Sequence, residues 1–561
     1  MVPLCAAVSL TAFLALAPST LAGPWKPWCR YPSLTDANAD QLQCGLQRGC
    51  FSSLDLVNAY IQRIAEVNST LHVVAELNPD ARATAKILDQ ERKKGKARGP
   101  LHGLPILLKG NIGVTGKMHT TAGSYALLGA ELAEEATVVT KLKDAGAIIL
   151  GMAGLSEWAN FRSSNSTNGW SAYGGQVFAA YYPQQDPCGS SSGSGVGSDL
   201  GLAFGAIGTE TSGSIVCPSE HNNIVGIKPT VGLTSRYMVI PVSEHADSIG
   251  PMTRTVKDAA LLLQVIAGRD IRDNYTSAIP FDGIPDYTAA CKLSGLEGKR
   301  IGIPRNVLEL ASSSDSSSGP LLATFDDAIS LLRKFGATII DNANYTALEE
   351  FVSSPAPLGV LFADFHSNLA SFLSTLKTNP HNIHNIADLR TFTHSSPAED
   401  YPARDTIIWD GVLAAGMSNT SPEFWELYQQ ALHFGDEGGV LGALRRHELD
   451  AVVLPSSYAY EIPALIGAPV VSVPMGAWPS DTEVEYDANR RELVTRAPGF
   501  PMGLSFIGGL WSEEKLLGIA YAFEQRSKAR GKLKRWIVPK TDLRDVAGQT
   551  KKQKAFAWNV V

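Results

Sequence analysis

Apolar positions follow two rhythms along this chain. In one, apolar residues recur every three or four positions, the spacing that lines a single helix face. Ser52 and Asp55 form a capping pair ahead of such a stretch, in which Val57, Ile61 and Ile64 share a face. Asn78-Pro79-Asp80 opens another, which runs through ARATAKILDQERKK and stops at Gly95. In the other rhythm, short unbroken apolar runs rich in β-branched residues follow a helical stretch. TVVTKLKDAG precedes AIIL at 147–150, LLATFDDAISLLRKFG precedes ATII at 337–340, and LGALRRHELD precedes AVVL at 451–454. Strands without polar alternation belong in a sheet buried beneath helices. No fixed-period repeat marks a solenoid. SSSDSSSG at 312–319 reads as a polar, flexible surface loop. Roughly 341–430 carries few strand signals and reads as a helical, variable region near a substrate entrance.

Composition narrows the class. The chain has 561 residues, enough for one large α/β body or two lobes. Hydrophobic residues make up 44% and charged residues 18%, the latter below the roughly 25% of ordinary soluble domains. With 51 Gly, this describes a compact, loop-rich enzyme and excludes a disordered or coiled-coil chain. The net charge of −7 provides no general basic field for nucleic acid. The basic run RSKARGKLKR, from Arg526 to Arg535, follows an amphipathic stretch and reads as a solvated helix end.

Residues 1–22 lack charge and end in small residues ahead of Gly23, which predicts a secretory signal peptide cut after Ala22. Pro18 and the shortness of the run argue against a stable membrane span. Export would expose the sequons at Asn68, Asn165, Asn274, Asn344 and Asn419 to glycosylation. It would also leave Cys29, Cys44, Cys50, Cys188, Cys217 and Cys291 free to form disulfides. One bridge among Cys29, Cys44 and Cys50 is expected from their closeness. Cys188 and Cys217 are expected to be small buried thiols rather than nucleophiles. No cysteine or histidine spacing resembles a zinc site, and no metal or organic cofactor is expected.

Chemistry concentrates in residues 186–219, DPCGSSSGSGVGSDLGLAFGAIGTETSGSIVCPS. Glycine permits sharp turns and close backbone approach, and converging N–H groups can hold an oxyanion. Serine supplies hydroxyls for attack or proton relay. Gly189 to Gly193 is formally a G-x-S-x-G elbow, which would make Ser191 the nucleophile of a Ser-His-Asp esterase. His102, His119, His221 and His245 are its candidate bases. The glycines lack the order of a phosphate-binding loop. A separate base is available in GLPILLKGNI, where Lys109 ends an apolar run. If buried, it would lose its charge readily and accept a proton; if not, its stem snorkels to water.

These segments resemble the amidase signature family from about residue 33 to 540. The strongest blocks are PCGSSSGS, TETSGSIVCPS, GIKPTVGLTSR and DSIGPMTRTVKDAA, joined upstream by GPLHGLPILLKGNI and TTAGSYAL. IGAPVVSVPMG and FPMGLSFIGGLWSEEKLL extend the match downstream. The flavour is closest to peptide amidases and secreted eukaryotic members, rather than the subunit that amidates transfer-RNA-bound glutamate. The resemblance implies an α/β fold with a large mixed, twisted sheet covered by helices on both faces. Its core would span about 95–270 and 440–540, with 541–561 as a tail. It implies a Ser-cisSer-Lys triad of Ser214, Ser190 and Lys109, with the two serines 24 residues apart. Backbone amides of Thr211, Ser212, Gly213 and Ser214 would form the oxyanion hole. The chain departs from the family at Gly110, often Asp or Asn, and at Ser212, often Asp or Gly. Where some members carry an arginine after the nucleophile, it has Val216, which implies a neutral or apolar substrate. The implied substrate is a small-molecule or peptide amide. A catalytically decayed secreted binding protein is the alternative raised by the departures.

Overall fold

The apolar runs pair into a single sheet of 11 strands. The computed structural model describes residues 29–314 and 317–547. The expected leader at 1–22 and positions 548–561 of the expected tail lie outside the described residues. In chain order the strands are β1 (Val74–Leu77), β2 (Pro105–Lys109), β3 (Ile148–Ala153), β4 (Gly205–Glu210), β5 (Val225–Lys228) and β6 (Ser248–Thr253). They continue as β7 (Arg300–Gly302), β8 (Thr338–Ile340), β9 (Ala451–Pro455), β10 (Val470–Ala477) and β11 (Pro501–Ile507). Across the sheet the order is β1-β3-β2-β4-β6-β5-β10-β11-β9-β7-β8. β3, β2 and β4 run parallel, as do β9, β7 and β8, while the strands between pair antiparallel.

Every residue of β2, β3, β4 and β6 is buried, which explains the unbroken apolar runs of β2 before Lys109 and of β3. Helices lie on both faces. A side chain added at Gly205 would meet Leu262 of the helix Val256–Ile266, whereas one at Gly208 would meet Ser191 and Ile215. Odd and even strand positions point oppositely, so these helices and turns flank opposite sides. Three helix–strand units place Thr137–Asp144 before β3, Gly319–Lys334 before β8 and Val440–Arg446 before β9. Ser52 and Asp55 reciprocally cap the helix Ser53–Leu71, which buries Val57, Ile61 and Ile64.

Several expectations change in the folded chain. The helix Arg305–Ser314 enters the serine-rich segment and Gly319 starts the next helix, so among its described residues only Ser317 and Ser318 are non-helical; 315 and 316 lie outside the described residues. The basic run is no simple solvated end. Arg530 and Arg535 both reach the buried Asp199, at 2.7 and 2.6 Å. Burial alone would raise that carboxyl, but the two guanidiniums hold it below its usual range. Cys188 and Cys217 are not thiols but partners in a disulfide, and a second bridge joins Cys29 to Cys50. Their spacing along the chain hid a contact made by two turns folding together. Residues 348–435 carry the helices Leu348–Ser353, Ala356–Ser374, Ile386–Ser395, Ile407–Ala415 and Pro422–Gly435. Among the described residues, no helix is long and apolar enough to cross a membrane.

The topology sets where chemistry can occur. The carboxyl ends of β3, β2 and β4 emerge side by side, the usual ligand position of a parallel α/β sheet. Lys109 ends β2 and Glu210 ends β4.

Candidate active site

Lys109 is fully buried. Burial pushes its ammonium down from the usual lysine range to about 7, against the opposing pull of Asp247 and Glu210. Its stem does not snorkel to water. Nζ lies 2.7 Å from Ser190 Oγ, 2.9 Å from Thr209 Oγ1 and 3.0 Å from the Thr209 carbonyl. Asn111 Nδ2 donates to the same Thr209 hydroxyl at 3.0 Å. Support for the lysine therefore comes through the position after Gly110. Gly110 itself is tightly packed, since an added Cβ would come within 3.0 Å of Leu155.

Ser190 follows a cis peptide bond from Gly189 and lies just ahead of the helix Ser192–Asp199. Its Oγ lies 3.0 Å from Ser214 Oγ. Ser190 is wholly buried and Ser214 is 6% exposed, so Lys109, Ser190 and Ser214 form a line from the core to a cavity. The glycines that follow serve packing rather than ligand approach. A Cβ at Gly193 would fall 2.3 Å from the Val73 carbonyl, and one at Gly197 would fall 2.8 Å from Leu107. The helix can lie against the sheet only without those side chains.

The Ser214 turn is shaped by a carboxylate that sequence reasoning did not single out. Glu210 Oε1 accepts the Gly213 amide at 2.8 Å. Its Oε2 accepts those of Ile215 and Val216 at 2.7 and 2.9 Å. Gly213 takes φ +79°, and a side chain there would run into the Tyr460 ring at 2.8 Å. Of the four amides expected to hold an oxyanion, Gly213's is thus engaged by Glu210, while those of Thr211, Ser212 and Ser214 are not. The Thr211 hydroxyl donates to Asp247 at 2.6 Å, and Asp247 also accepts the amides of Val242 and Ser243. Burial pushes the Asp247 carboxyl up. Glu210 and Asn111 sit beside the expected residues in TET and KGN, so adjacency was a usable signal. Asp247 opens the DSIGPM block in a distant segment but was not singled out, and Tyr460, from another, carried no signal.

The disulfide binds this arrangement together. Cys188 stands two residues before Ser190 and Cys217 three after Ser214, so the S–S bond joins both serine turns. The cavity over Ser214 has a volume of about 480 Å³, within the roughly 300–1,000 Å³ of small-ligand sites. Asn160, Gly189, Ser212, His221 and Tyr460 contribute to its walls, and no Lys, Arg, Asp or Glu among the described residues does. Ala159 and Asn160 on its wall, and the buried Trp158 just before them, all hold left-handed backbone, at φ +57°, +68° and +49°. Such a run in non-glycine residues is costly and is typically retained at working sites.

The candidate histidines are engaged by other groups, His221 on the cavity wall included. His102 Nε2 faces the Leu88 carbonyl, His119 pairs with Glu76, His221 Nδ1 faces the Asp186 carbonyl, and His245 pairs with Asp364. Ser191 is fully buried, donates to the Thr209 carbonyl at 3.1 Å and accepts its amide at 3.3 Å. No histidine among the described residues meets it, so a Ser-His-Asp site is not assembled there. Glu244, His245 and Asp364 gather closely enough to hold a cation. Their polar atoms are instead committed to one another, to Ser243 and to Asn419.

Residues 55–517 match the family model for amidases. A protein of Arthroderma benhamiae named as an amidase is 56% identical over 92% of this chain and 90% of its own length. One of Arabidopsis thaliana, also named as an amidase, is 36% identical over 89% of this chain and 91% of its own. The native peptide amidase of Stenotrophomonas maltophilia, a solved structure, is 37% identical with a TM-score of 0.78, covering 90% of this chain and 99% of its own.

Proposed function

This chain belongs to the amidase signature family and is a hydrolase of amide carbon–nitrogen bonds; from that premise we propose that Ser214, Ser190 and Lys109 perform the cleavage through an acyl-enzyme. Neutral Lys109 takes a proton from Ser190 as Ser190 takes one from Ser214. Ser214 Oγ then bonds to the amide carbon, and the carbonyl electron pair moves to oxygen. The free amides of the 211–214 turn receive that oxyanion; losing one such donor costs about 2.7–4 kcal/mol of transition-state stabilisation. Proton return through Ser190 releases ammonia or an amine, and water repeats the cycle on the acyl-enzyme.

The observation that carries this reading is the pair of contacts at 2.7 and 3.0 Å through Ser190 to a lysine pushed down to about 7. The cavity's lack of Lys, Arg, Asp and Glu among the described residues supports a neutral or apolar substrate, a peptide or small-molecule amide, whereas Val216 is buried in the core and does not line that cavity. Two disulfides support export, since such bonds persist in oxidising compartments. The test is an amide panel read by ammonia or amine release. Ser214→Ala should lose turnover by about 10⁴-fold or more with its fold intact. A fluorophosphonate should label Ser214 in the wild type. Near-normal turnover of the variant would refute the assignment, and inertness of the wild type towards every amide and ester would favour the decayed binding protein.

A further inference from the structure

A line of side-chain amides runs along one wall of the cavity over Ser214. Asn160 and Asn168 both contribute to that wall, beside Gly189. Asn160 Nδ2 donates to Asn168 Oδ1 at 3.0 Å, and Asn168 Nδ2 donates to Asp186 Oδ2 at 3.1 Å. The other oxygen of the buried Asp186 accepts the Cys188 amide at 2.7 Å. The direction of these bonds is set at the Asp186 end. A carboxylate offers only acceptors, so Asn168 turns its nitrogen to Asp186 and its oxygen to Asn160. Asn160 must then turn its own nitrogen to Asn168. Its Oδ1 is left without a hydrogen-bond partner among the described residues. The two ends of a carboxamide have nearly the same shape, and a network of this kind decides which end a ligand meets.

This line lies against the turn that carries Ser190. A Cβ built on Gly189 would stand 2.8 Å from Asn160 Nδ2 and 3.0 Å from Asn168 Oδ1, and Gly189 is bonded to Ser190. The Ser190 carbonyl also accepts the Ser156 amide at 3.1 Å, which ties the turn to the segment carrying Asn160.

We propose that Asn160 is a specificity-determining residue whose Oδ1 accepts an N–H of the scissile carboxamide, and that Asp186 is the positioning residue that fixes this polarity. The inference rests on the role given to Ser190 above. Ser190 hands its proton to the leaving nitrogen, so that nitrogen comes within hydrogen-bond reach of Ser190 Oγ, close to where Gly189 and Asn160 meet. A nitrogen bearing N–H gains a bond there. An ester oxygen has no proton to give and leaves the acceptor unpaired, so the wall favours amides over esters.

The test compares hydrolysis of 3-phenylpropionamide and methyl 3-phenylpropionate by the wild type, Asp186→Asn and Asn160→Gly. Burial pushes the Asp186 carboxyl up, so the assay runs at about pH 8, well above the usual carboxylate range. Asp186→Asn is isosteric. Its Oδ1 can still take the Cys188 amide, but its Nδ2 faces Asn168 and reverses the line, so Asn160 presents N–H to the cavity. Asn160→Gly removes the amide and keeps the left-handed backbone at φ +68°. Each variant should lower kcat/KM for the amide by about fivefold or more, the effect of one neutral hydrogen bond. Each should leave the ester within about twofold. A merely structural role would lower both substrates alike; that result, or an unchanged amide, would overturn the proposal. Calorimetric titration reads the same wall without turnover. Ser214→Ala should bind the amide more tightly than the ester, and adding Asp186→Asn should abolish the difference. Absence of that preference in Ser214→Ala would also overturn the proposal. The preference in binding together with a wild type that cleaves neither compound would instead count against the roles of Ser214 and Ser190.

Discussion

Lys109 has opposite consequences for stability and for turnover. Its ammonium titrates at about 7 in the fold and near ~10.4 in an unfolded chain. Between those values the unfolded chain holds more protons, so this group's contribution to stability rises with pH through that window. Below about 7 the fold bears a buried charge and the cost is complete. In the proposed mechanism turnover follows the neutral amine. kcat/KM should therefore climb about tenfold per pH unit on the acid side and level off above about 7. A flat profile from acid to neutral pH would exclude a lysine base. Lys109→Met keeps an apolar stem and removes the charge. It should abolish turnover yet raise the melting temperature under mildly acid conditions. A lower melting temperature there would mean that the contacts to Ser190 and Thr209 outweigh the buried charge.

At the scale of elements, two turns and the strands beneath them define the geometry. β2 delivers Lys109 and β4 delivers Thr209 and Glu210, while the turn ahead of the helix Ser192–Asp199 delivers Ser190 and the turn after β4 delivers Ser214. Hydrogen bonds of 2.7 and 3.0 Å leave little slack, and a displacement of about 1 Å can cost ~10²-fold in rate. The Cys188–Cys217 bond restrains that displacement. The double variant Cys188→Ser, Cys217→Ser should lower kcat by about 10-fold or more, change KM little and retain the wild-type circular dichroism. Reduction of the wild type by a dithiol should reproduce the loss, and reoxidation should reverse it. Unchanged kcat in the double variant would show that Glu210 and the helix Ser192–Asp199 hold the turns unaided. The helix–strand units were legible because their periodicity is local. The disulfide was not, because pairing depends on where two turns end up in space.

Over the whole molecule, the two ends of the described chain are tied beneath the site. Arg63 is nearly inaccessible, and its guanidinium donates to the carbonyls of Leu200, Gly201 and Thr541 and to the Thr35 hydroxyl. The Leu34 amide donates to Asp542 at 2.9 Å. Leu200 and Gly201 close the helix Ser192–Asp199, so a cation there also meets the negative end of its dipole. Each buried carbonyl left without a partner costs about 1–3 kcal/mol. Arg63→Met should lower the melting temperature by several degrees while kcat per folded enzyme stays within about twofold. A selective loss of kcat at unchanged stability would place Arg63 in the mechanism rather than the scaffold.

From the sequence by itself come the helix–strand units, the family, and the choice of Lys109, Ser190 and Ser214 as candidates, because periodicity and short motifs are written in neighbouring residues. Only the tertiary structure decided that Lys109 is buried, that Glu210 rather than solvent takes the Gly213 amide, and that Cys188 meets Cys217. It likewise decided that Arg530 and Arg535 converge on Asp199. Each of these depends on groups far apart in sequence being driven out of water together, and the penalty on an isolated buried charge or unpaired amide then selects which of them must meet.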